Sequence, residues 1–232
     1  MFAALLNLIF PPVCLFCRRP LLLRERQAFI CGDCSKKKPF FQQKVCPVCS
    51  APPDAAGCCR REERSFTFTG TLALGPYRGE LKECLHRFKY RGRRELAGPL
   101  GELLASKIML APWHTRLNGV VPIPLHTKRL KERGYNQSLL LAQRISSLLA
   151  LPLLDILVRI RETPPQAGLS GYERRFNVKG AFGLNNNAAQ YQGLVLLLVD
   201  DVFTTGATLE EAASLLSLAG IAAETYNAVV AR

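Results

Sequence analysis

The sequence of 232 residues predicts an α/β fold in which a small cysteine-rich domain precedes a parallel sheet flanked by helices. Eight of the nine cysteines lie within residues 14–59. Further along, aliphatic runs of strand length alternate with stretches of helical periodicity, the pattern of parallel strands joined by crossover helices. The uninterrupted aliphatic run at 194–199 is typical of a strand buried on both faces. We therefore predict two domains, residues 1–65 and 66–232, with a charged stretch at their boundary.

The cysteines of the first domain form three pairs with a two-residue gap and one adjacent pair. They are Cys14 and Cys17, Cys31 and Cys34, Cys46 and Cys49, and Cys58 and Cys59. A two-residue gap lets both thiolates of a turn face one ion, and two such pairs provide the tetrahedral sulfur shell that Zn²⁺ prefers. The spacing therefore predicts one or two structural zinc ions held by these eight residues. Adjacent cysteines rarely bind one ion together, so we expect only three cysteine ligands in a second site.

Disulfide bonds and redox activity are the alternatives for these cysteines. Nothing in the sequence indicates export to an oxidising compartment, which disfavours disulfides. The pairs do not stand at the start of a helix after a core strand, where redox-active pairs occur. The segment is also rich in proline, arginine and lysine and could not fold by apolar burial alone, so metal binding would supply its stability.

The elements of the second domain follow from apolar periodicity and from glycine and proline positions. The first segment, 65–79, suggests a hairpin or edge strands. The predicted strands after it are 118–125, which ends in prolines, 153–160, the aliphatic run, and 221–232. The predicted helices are 80–110 with a break at Arg91 and Gly92, the amphipathic stretch 136–150, and 209–220, which stops at a glycine. A further short helix is predicted at the apolar start, 1–14.

Two adjacent acids, Asp200 and Asp201, end the central aliphatic run and precede a Thr/Gly loop. In parallel sheets ligands bind at the carboxyl ends of strands. Backbone N–H groups of such a loop suit a phosphate when a helix begins there, near Thr208. Gly206 lets the backbone approach the anion closely. The acids suit sugar hydroxyls or a phosphate-bound Mg²⁺, and together these features indicate a ribose 5-phosphate.

The stretch "LLLVDDVFTTGAT" resembles the phosphoribosyl pyrophosphate (PRPP) signature of type I phosphoribosyltransferases. The resemblance implies that Asp200 and Asp201 accept hydrogen bonds from the 2′- and 3′-hydroxyls of ribose, and that Mg²⁺ accompanies PRPP. It also implies that the loop residues cradle the 5-phosphate: Thr204, Thr205, Gly206, Ala207 and Thr208. The alternative is an N-capped helix after an acidic turn. The loop G-x-x-x-x-G-K-[ST] is absent from the sequence, so nucleoside triphosphate hydrolysis by that route is unsupported.

Two further stretches resemble loops of the same fold. Residues 121–137 carry a strand end followed by basic side chains, and in the family this loop holds pyrophosphate. The candidates there are Lys128, Arg129 and Arg133. Residues 159–182 are long, polar and basic, and they fit the flexible active-site loop of these enzymes, with Arg174 and Arg175 as candidates for anion binding. The alternatives are a basic helix start for the first stretch and a disordered loop for the second.

The order of these motifs resembles the ComF/GntX-like competence family, a double zinc ribbon joined to a type I phosphoribosyltransferase-like domain. The stretches that carry the resemblance are "CLHRFKYRGRREL", "VPIPLHTKRLKERGYNQ", "TPPQAGLSGYERRFNVKGAF" and the PRPP signature. The resemblance implies a role in natural transformation or in the use of external DNA, acting on internalised single-stranded DNA in the cytoplasm. It also implies competence-machinery partners, such as a DNA-translocating helicase. The adjacent cysteines and the extra Cys84 depart from the family pattern.

Charge is distributed unevenly along the chain. Residues 1–190 contain 30 basic and 13 acidic side chains, whereas 191–232 contain one basic and five acidic side chains, for a net charge of +13. Such a surface favours polyanions, and a solvated basic face is the alternative. The candidates for DNA binding are Arg87, Lys89, Arg91, Arg93 and Arg94. Phe88 and Tyr90 could stack on bases or belong to the core of the helix.

Three functions fit the sequence. The first is a PRPP-binding protein that handles single-stranded DNA, the second is an active phosphoribosyltransferase with a nitrogen acceptor, and the third is a regulator that senses PRPP. No apolar run reaches the roughly 20 residues of a membrane span. We therefore expect a cytoplasmic protein without a membrane span.

Overall fold

The computed structural model describes residues 12–26, 28–37, 39–60, 62–162 and 178–232. Its strands are β1 (Gly70–Gly75), β2 (Gly119–Pro122), β3 (Leu157–Arg159), β4 (Phe182–Leu184), β5 (Leu194–Val202) and β6 (Ala222–Ala231). Its α-helices are α1 (Gly32–Lys36), α2 (Gly79–Tyr90), α3 (Ala97–Ile108), α4 (Thr127–Arg133), α5 (Gln137–Leu149) and α6 (Ala207–Leu218). Of the predicted first helix, residues 1–11 lie outside the described residues, and residues 12–14 are not helical.

The central sheet has four parallel strands in the order β1-β6-β5-β2. The aliphatic run therefore lies in the interior of the sheet, with β6 on one side and β2 on the other. Its side chains alternate between two cores, so that Leu197 and Val199 pack on one face and Leu196 and Leu198 on the other. The prediction of an α/β fold with a parallel sheet is confirmed.

For residues 65–79 the sequence predicts either a hairpin or edge strands. The hairpin prediction is wrong, and the edge-strand prediction is confirmed. Only β1 forms there, and it pairs in parallel with β6. Its other edge contacts the cysteine-rich segment, because the Thr71 N–H donates to Pro47 O at 2.9 Å and the Phe41 N–H donates to Leu74 O at 3.0 Å. Long-range backbone pairing on both sides thus replaces the local partner that a hairpin would have provided.

The helices α2, α3, α5 and α6 agree with the predicted pattern, whereas α4 forms where a basic helix start was only the alternative. The long helical stretch breaks after α2 at Arg91 and Gly92, where the glycine has a φ of 63°. The last helix begins at Ala207, two residues before the predicted range of 209–220. None of the helices in the described part of the chain has the length and apolar composition that crossing a bilayer requires.

The predicted strand 153–160 is much shorter in the structure. Only β3 forms, and it pairs antiparallel with β4 in a separate two-stranded sheet. This small sheet carries Arg159 towards the carboxyl edge of the central sheet, where Arg159 lines a cavity. The short sheet therefore positions a basic side chain at the candidate site.

The cysteine-rich segment packs directly against the second domain. The Arg87 guanidinium on α2 donates to Leu15 O at 2.8 Å. On the other side, the Ala73 N–H of β1 donates to Ser50 Oγ at 3.1 Å, and Arg232 Nε donates to Cys49 O at 3.0 Å. Strand β1 and Arg232 thus contact the same part of the segment, at Cys49 and Ser50. The division at residues 65 and 66 stays a prediction.

Candidate functional site

The first cysteine cluster consists of Cys14, Cys17, Cys31 and Cys34, whose Sγ atoms all lie within 4.8 Å of one another. Backbone N–H groups of Cys31 and Cys34 donate to Cys14 Sγ and Cys31 Sγ, both at 3.4 Å. Burial opposes ionisation of Cys31, but the Cys34 N–H and the neighbouring thiols outweigh it and lower the pKa of Cys31 to about 6. A thiolate stabilised in this way is a ready metal ligand.

The second cluster consists of Cys46, Cys49, Cys58 and Cys59, again with all Sγ atoms within 4.8 Å. This differs from the expectation of three cysteine ligands, because both members of the adjacent pair reach the centre. Hydrogen-bonded turns flank the pair: the Cys58 N–H donates to Ala55 O at 3.1 Å and the Arg64 N–H donates to Cys59 O at 2.9 Å. Each cluster therefore offers four sulfur atoms, which is the set that could hold one zinc ion.

A cavity of about 590 Å³ opens at the carboxyl ends of β2 and β5. Seven parts of the chain line it: the segment between β1 and α2, the end of α2, the residues after β2, helix α4, the start of α5, the end of β3, and the junction between β5 and α6. Its polar and charged lining residues are Tyr77, Lys89, Tyr90, Arg129, Glu132, Arg133, Ser138, Arg159, Asp200, Asp201, Thr204 and Thr208. The position agrees with the crevice in which open parallel sheets bind ligands.

The two acids have different partners. Asp200 Oδ1 accepts hydrogen bonds from Ser138 Oγ at 2.9 Å and from the Asp201 N–H at 2.8 Å. Burial, together with the charge of Asp201, raises the pKa of Asp200 to about 6. Asp201 Oδ1 lies 2.9 Å from Lys89 Nζ. Burial opposes the charge of Lys89, but the attraction of Asp201 outweighs it, and the pKa of Lys89 is raised.

The Thr/Gly loop carries the chain from β5 into α6. Gly206 has a φ of 83°, and a Cβ there would lie 2.6 Å from the Phe203 ring, so the position requires glycine. Thr204 and Thr208 line the cavity. Thr205 Oγ1 instead accepts a hydrogen bond from the Ala207 N–H at 3.4 Å and supports the loop. The N-terminus of a 12-residue helix thus adjoins the cavity.

The basic residues on α4 divide into two groups. Arg129 and Arg133 line the cavity. The Arg133 guanidinium lies 5.0 Å from the centroid of the Tyr90 ring and donates to Gln137 Oε1 at 3.0 Å. Lys128 Nζ is 3.0 Å from Glu162 Oε1 and lies outside the cavity lining. The structure therefore brings two of the three predicted residues to the crevice.

The sequence prediction did not assign several of the lining residues to the cavity, among them Lys89, Ser138 and Arg159. Burial and the nearby charge of Arg129 lower the pKa of Arg159, whose guanidinium lies 5.3 Å from the centroid of the Phe182 ring. Its position at the end of a strand is the sequence signal that could have identified it. The predicted Arg174 and Arg175 lie outside the described residues.

The predicted DNA-binding residues do not share one surface. Arg91 and Arg94 are exposed and Arg93 is half-buried, whereas Arg87 contacts the cysteine-rich segment. The side chain of Lys89 is only 15 % exposed and pairs with Asp201, which does not favour its predicted contact with DNA. Stacking by Phe88 is also excluded by its complete burial, whereas Tyr90 is 62 % exposed at the cavity.

The comparisons with known proteins agree with this architecture. The double zinc ribbon domain matches residues 5–62, and the phosphoribosyl transferase domain matches residues 136–229. The chain is 33 % identical to the DNA utilization protein YhgH of Salmonella typhi, over 93 % of this chain and 95 % of the relative. It is 32 % identical to competence protein F of Haemophilus influenzae, over 90 % of this chain and 92 % of that protein.

A more distant relative is competence protein ComFC of Bacillus subtilis, which is 29 % identical over 92 % of this chain and 88 % of its own length. The double zinc ribbon match includes both cysteine clusters, and the phosphoribosyl transferase match includes the cavity residues Ser138, Asp200 and Asp201. The chain therefore belongs to the family of competence and DNA utilization proteins that join a double zinc ribbon to a phosphoribosyl transferase domain.

Proposed function

We propose that the cavity binds PRPP together with Mg²⁺. The observation that carries the proposal is that the acidic pair, the helix N-terminus and two arginines of α4 surround one cavity. A ribose 5-phosphate with a second anionic group is the ligand that uses all three. The acids accept hydrogen bonds from sugar hydroxyls, the loop before α6 binds the 5-phosphate, and the arginines bind the pyrophosphate.

The donor set is consistent with Mg²⁺. The carboxylates of Asp200 and Asp201 and the hydroxyls of Ser138 and Thr208 are hard oxygen groups, which suit this cation when phosphate oxygens complete its coordination. When bound, Mg²⁺ neutralises phosphate charge. The chain's own residues position the ribose and hold the pyrophosphate end. Arg159 adds a third guanidinium next to Arg129 and strengthens the attraction for an anion.

Calorimetry of PRPP binding in the presence of Mg²⁺ tests this proposal. Replacing Asp200 and Asp201 by Asn removes two charged acceptors, each worth about 1.5–3 kcal/mol, so affinity should fall at least about tenfold. Asp155→Asn, a change of the same kind at an exposed position, is the control and should leave affinity unchanged. Equal affinity in the folded double variant and the wild type would contradict the assignment.

The same crevice could support phosphoribosyl transfer to a nitrogen nucleophile, which was the alternative function from the sequence. Such a reaction depends mainly on positioning and on stabilisation of charge as pyrophosphate leaves. Release of pyrophosphate that depends on an added base would establish the enzyme. Tight PRPP binding without such release, across the common nucleobases, would leave a binding protein.

We further propose that single-stranded DNA binds at the surface that follows α2. The exposed Tyr90, Arg91 and Arg94 lie together in sequence next to the cavity mouth. An exposed aromatic ring beside guanidinium groups is the arrangement that binds bases and phosphates of single strands. Relatives named for competence and for DNA utilization support this proposal.

A further inference from the structure

Lys89 reaches inward from the last turn of α2 to the acidic pair. Its neighbours point elsewhere: Phe88 is fully buried in the core, and Tyr90 is 62 % exposed at the cavity mouth. Lys89 Nζ lies 2.9 Å from Asp201 Oδ1, with the two side chains 15 % and 11 % exposed. The helix therefore delivers one cation to the floor of the crevice and holds it there.

The position of this ammonium group determines what else the acids can bind. Two adjacent carboxylates beside hydroxyl groups would ordinarily attract a hard divalent cation. Here the charge of Asp201 is already balanced, and Asp200 already accepts hydrogen bonds from Ser138 Oγ and the Asp201 N–H. A divalent ion at Asp201 would stand within about 4 Å of a fixed positive charge, where repulsion is strong in a poorly solvated site.

We infer that Lys89 is the resident counter-ion of the acidic pair, so that the free protein does not bind a divalent cation at Asp200 and Asp201. A divalent cation in the crevice would then require a phosphorylated ligand, whose negative charge would offset the ammonium group of Lys89. The identity of that ligand rests on the proposed function, but the exclusion of metal from the free protein does not.

The experiment uses Mn²⁺ as the probe and contains no PRPP. Electron paramagnetic resonance measures free Mn²⁺ in titrations of the zinc-containing full chain at about pH 8, where carboxylates are ordinarily ionised. Lys89→Met preserves the length of the side chain and removes its charge. We expect the wild type to bind Mn²⁺ at the cavity more weakly than about 1 mM and the variant to bind at least about tenfold more tightly.

Two further variants test whether the gain in Mn²⁺ affinity depends on the acidic pair. Lys107→Met removes another partly buried lysine, whose Nζ lies 3.4 Å from Ala73 O and Leu74 O, and it should behave as the wild type. Lys89→Met combined with Asp201→Asn should lose the added Mn²⁺ affinity. Thermal melting and zinc content establish that each variant is folded.

Two results overturn the inference. One is wild-type Mn²⁺ binding that is tighter than about 1 mM and is lost in Asp201→Asn, a result that does not require the lysine variant to fold. The other is a folded Lys89→Met protein that binds Mn²⁺ no more tightly than the wild type. Because PRPP is absent from this assay, its outcome is independent of the calorimetric test of PRPP binding.

Discussion

The proposed DNA surface can be tested by changing three arginines and measuring how affinity depends on salt. Arg91 and Arg94 are exposed, and Arg93 pairs with Glu95 at 3.2 Å in a solvent-exposed contact that contributes little to stability. Replacing all three by Ala therefore removes up to three phosphate contacts. It also removes the Arg94 guanidinium, which lies 4.7 Å from the ring centroid of the buried Tyr135, so thermal melting must establish that the variant is folded. The Arg94 bond to Gly134 O at 2.8 Å is also exposed.

The expected magnitude follows from counterion release. Each phosphate contact on a single strand contributes about −0.7 to the slope of log affinity against log salt, so three lost contacts flatten the slope by about 2. Between about 50 and 200 mM salt, the wild type should lose about 20-fold more affinity than the triple variant. Fluorescence anisotropy with a labelled single-stranded oligonucleotide measures both slopes.

A matched control separates a local surface from general basicity. Replacing Arg24, Lys36 and Arg60 by Ala removes the same charge from exposed positions of the cysteine-rich segment. The local proposal predicts that this variant retains nearly the wild-type slope. Equal flattening in the two triple variants, or no change in either, would refute the reasoning and assign the positive charge to a solvated face. PRPP binding and zinc content should be unchanged in both variants.

The other predictions concern the metal clusters and Asp200. Elemental analysis should find two zinc ions per chain, because four sulfur atoms converge in each cluster. The variants Cys58→Ser and Cys59→Ser should each reduce the zinc count to about one. An unchanged count in either variant would contradict zinc binding by all four cysteines of the second cluster. Because the folded state raises the pKa of Asp200 from 3.8 to about 6, the folded protein binds the extra proton in this range. The free energy of unfolding should therefore fall by about 2 kcal/mol relative to Asp200→Asn as pH rises from about 4 to 6. Denaturant titrations at a series of pH values measure this difference, and a constant difference would show that the carboxyl titrates normally.

The elements with strong local signals were predictable from the sequence. The aliphatic composition of β5 predicted its interior place, and Gly92 predicted the break after α2, because both depend on residues adjacent in the chain. The hairpin failed because β1 is stabilised by Pro47 on one edge and by β6 on the other. Neither partner is near it in sequence, so no local pattern could reveal them.

The residues of the candidate site that belong to one sequence motif were predictable. Those that reach the site only through the packing of helices were harder to predict. The acids and the Thr/Gly loop are contiguous, whereas Lys89 and Ser138 arrive on helices. Lys89 lies four residues after the buried Leu85, so it shares the apolar stripe of α2. Ser138 likewise precedes the buried Leu141 and Ala142 on α5. A polar residue on the otherwise apolar face of a helix is therefore a sequence signal for a buried ligand site of this kind.

The pairing of β1 with β6 also affects the order in which the molecule can be assembled. Asn227 Nδ2 donates to Thr71 Oγ1 at 3.0 Å across 156 positions of sequence. Contacts of such long range slow folding, because a large loop must close before they form. At a synthesis rate of about 5–20 residues per second, β1 emerges about 10–30 s before its partner strand. During that interval the cysteine-rich segment can cover only one of its edges, and the nascent chain carries the other as an unpaired strand edge open to misassembly.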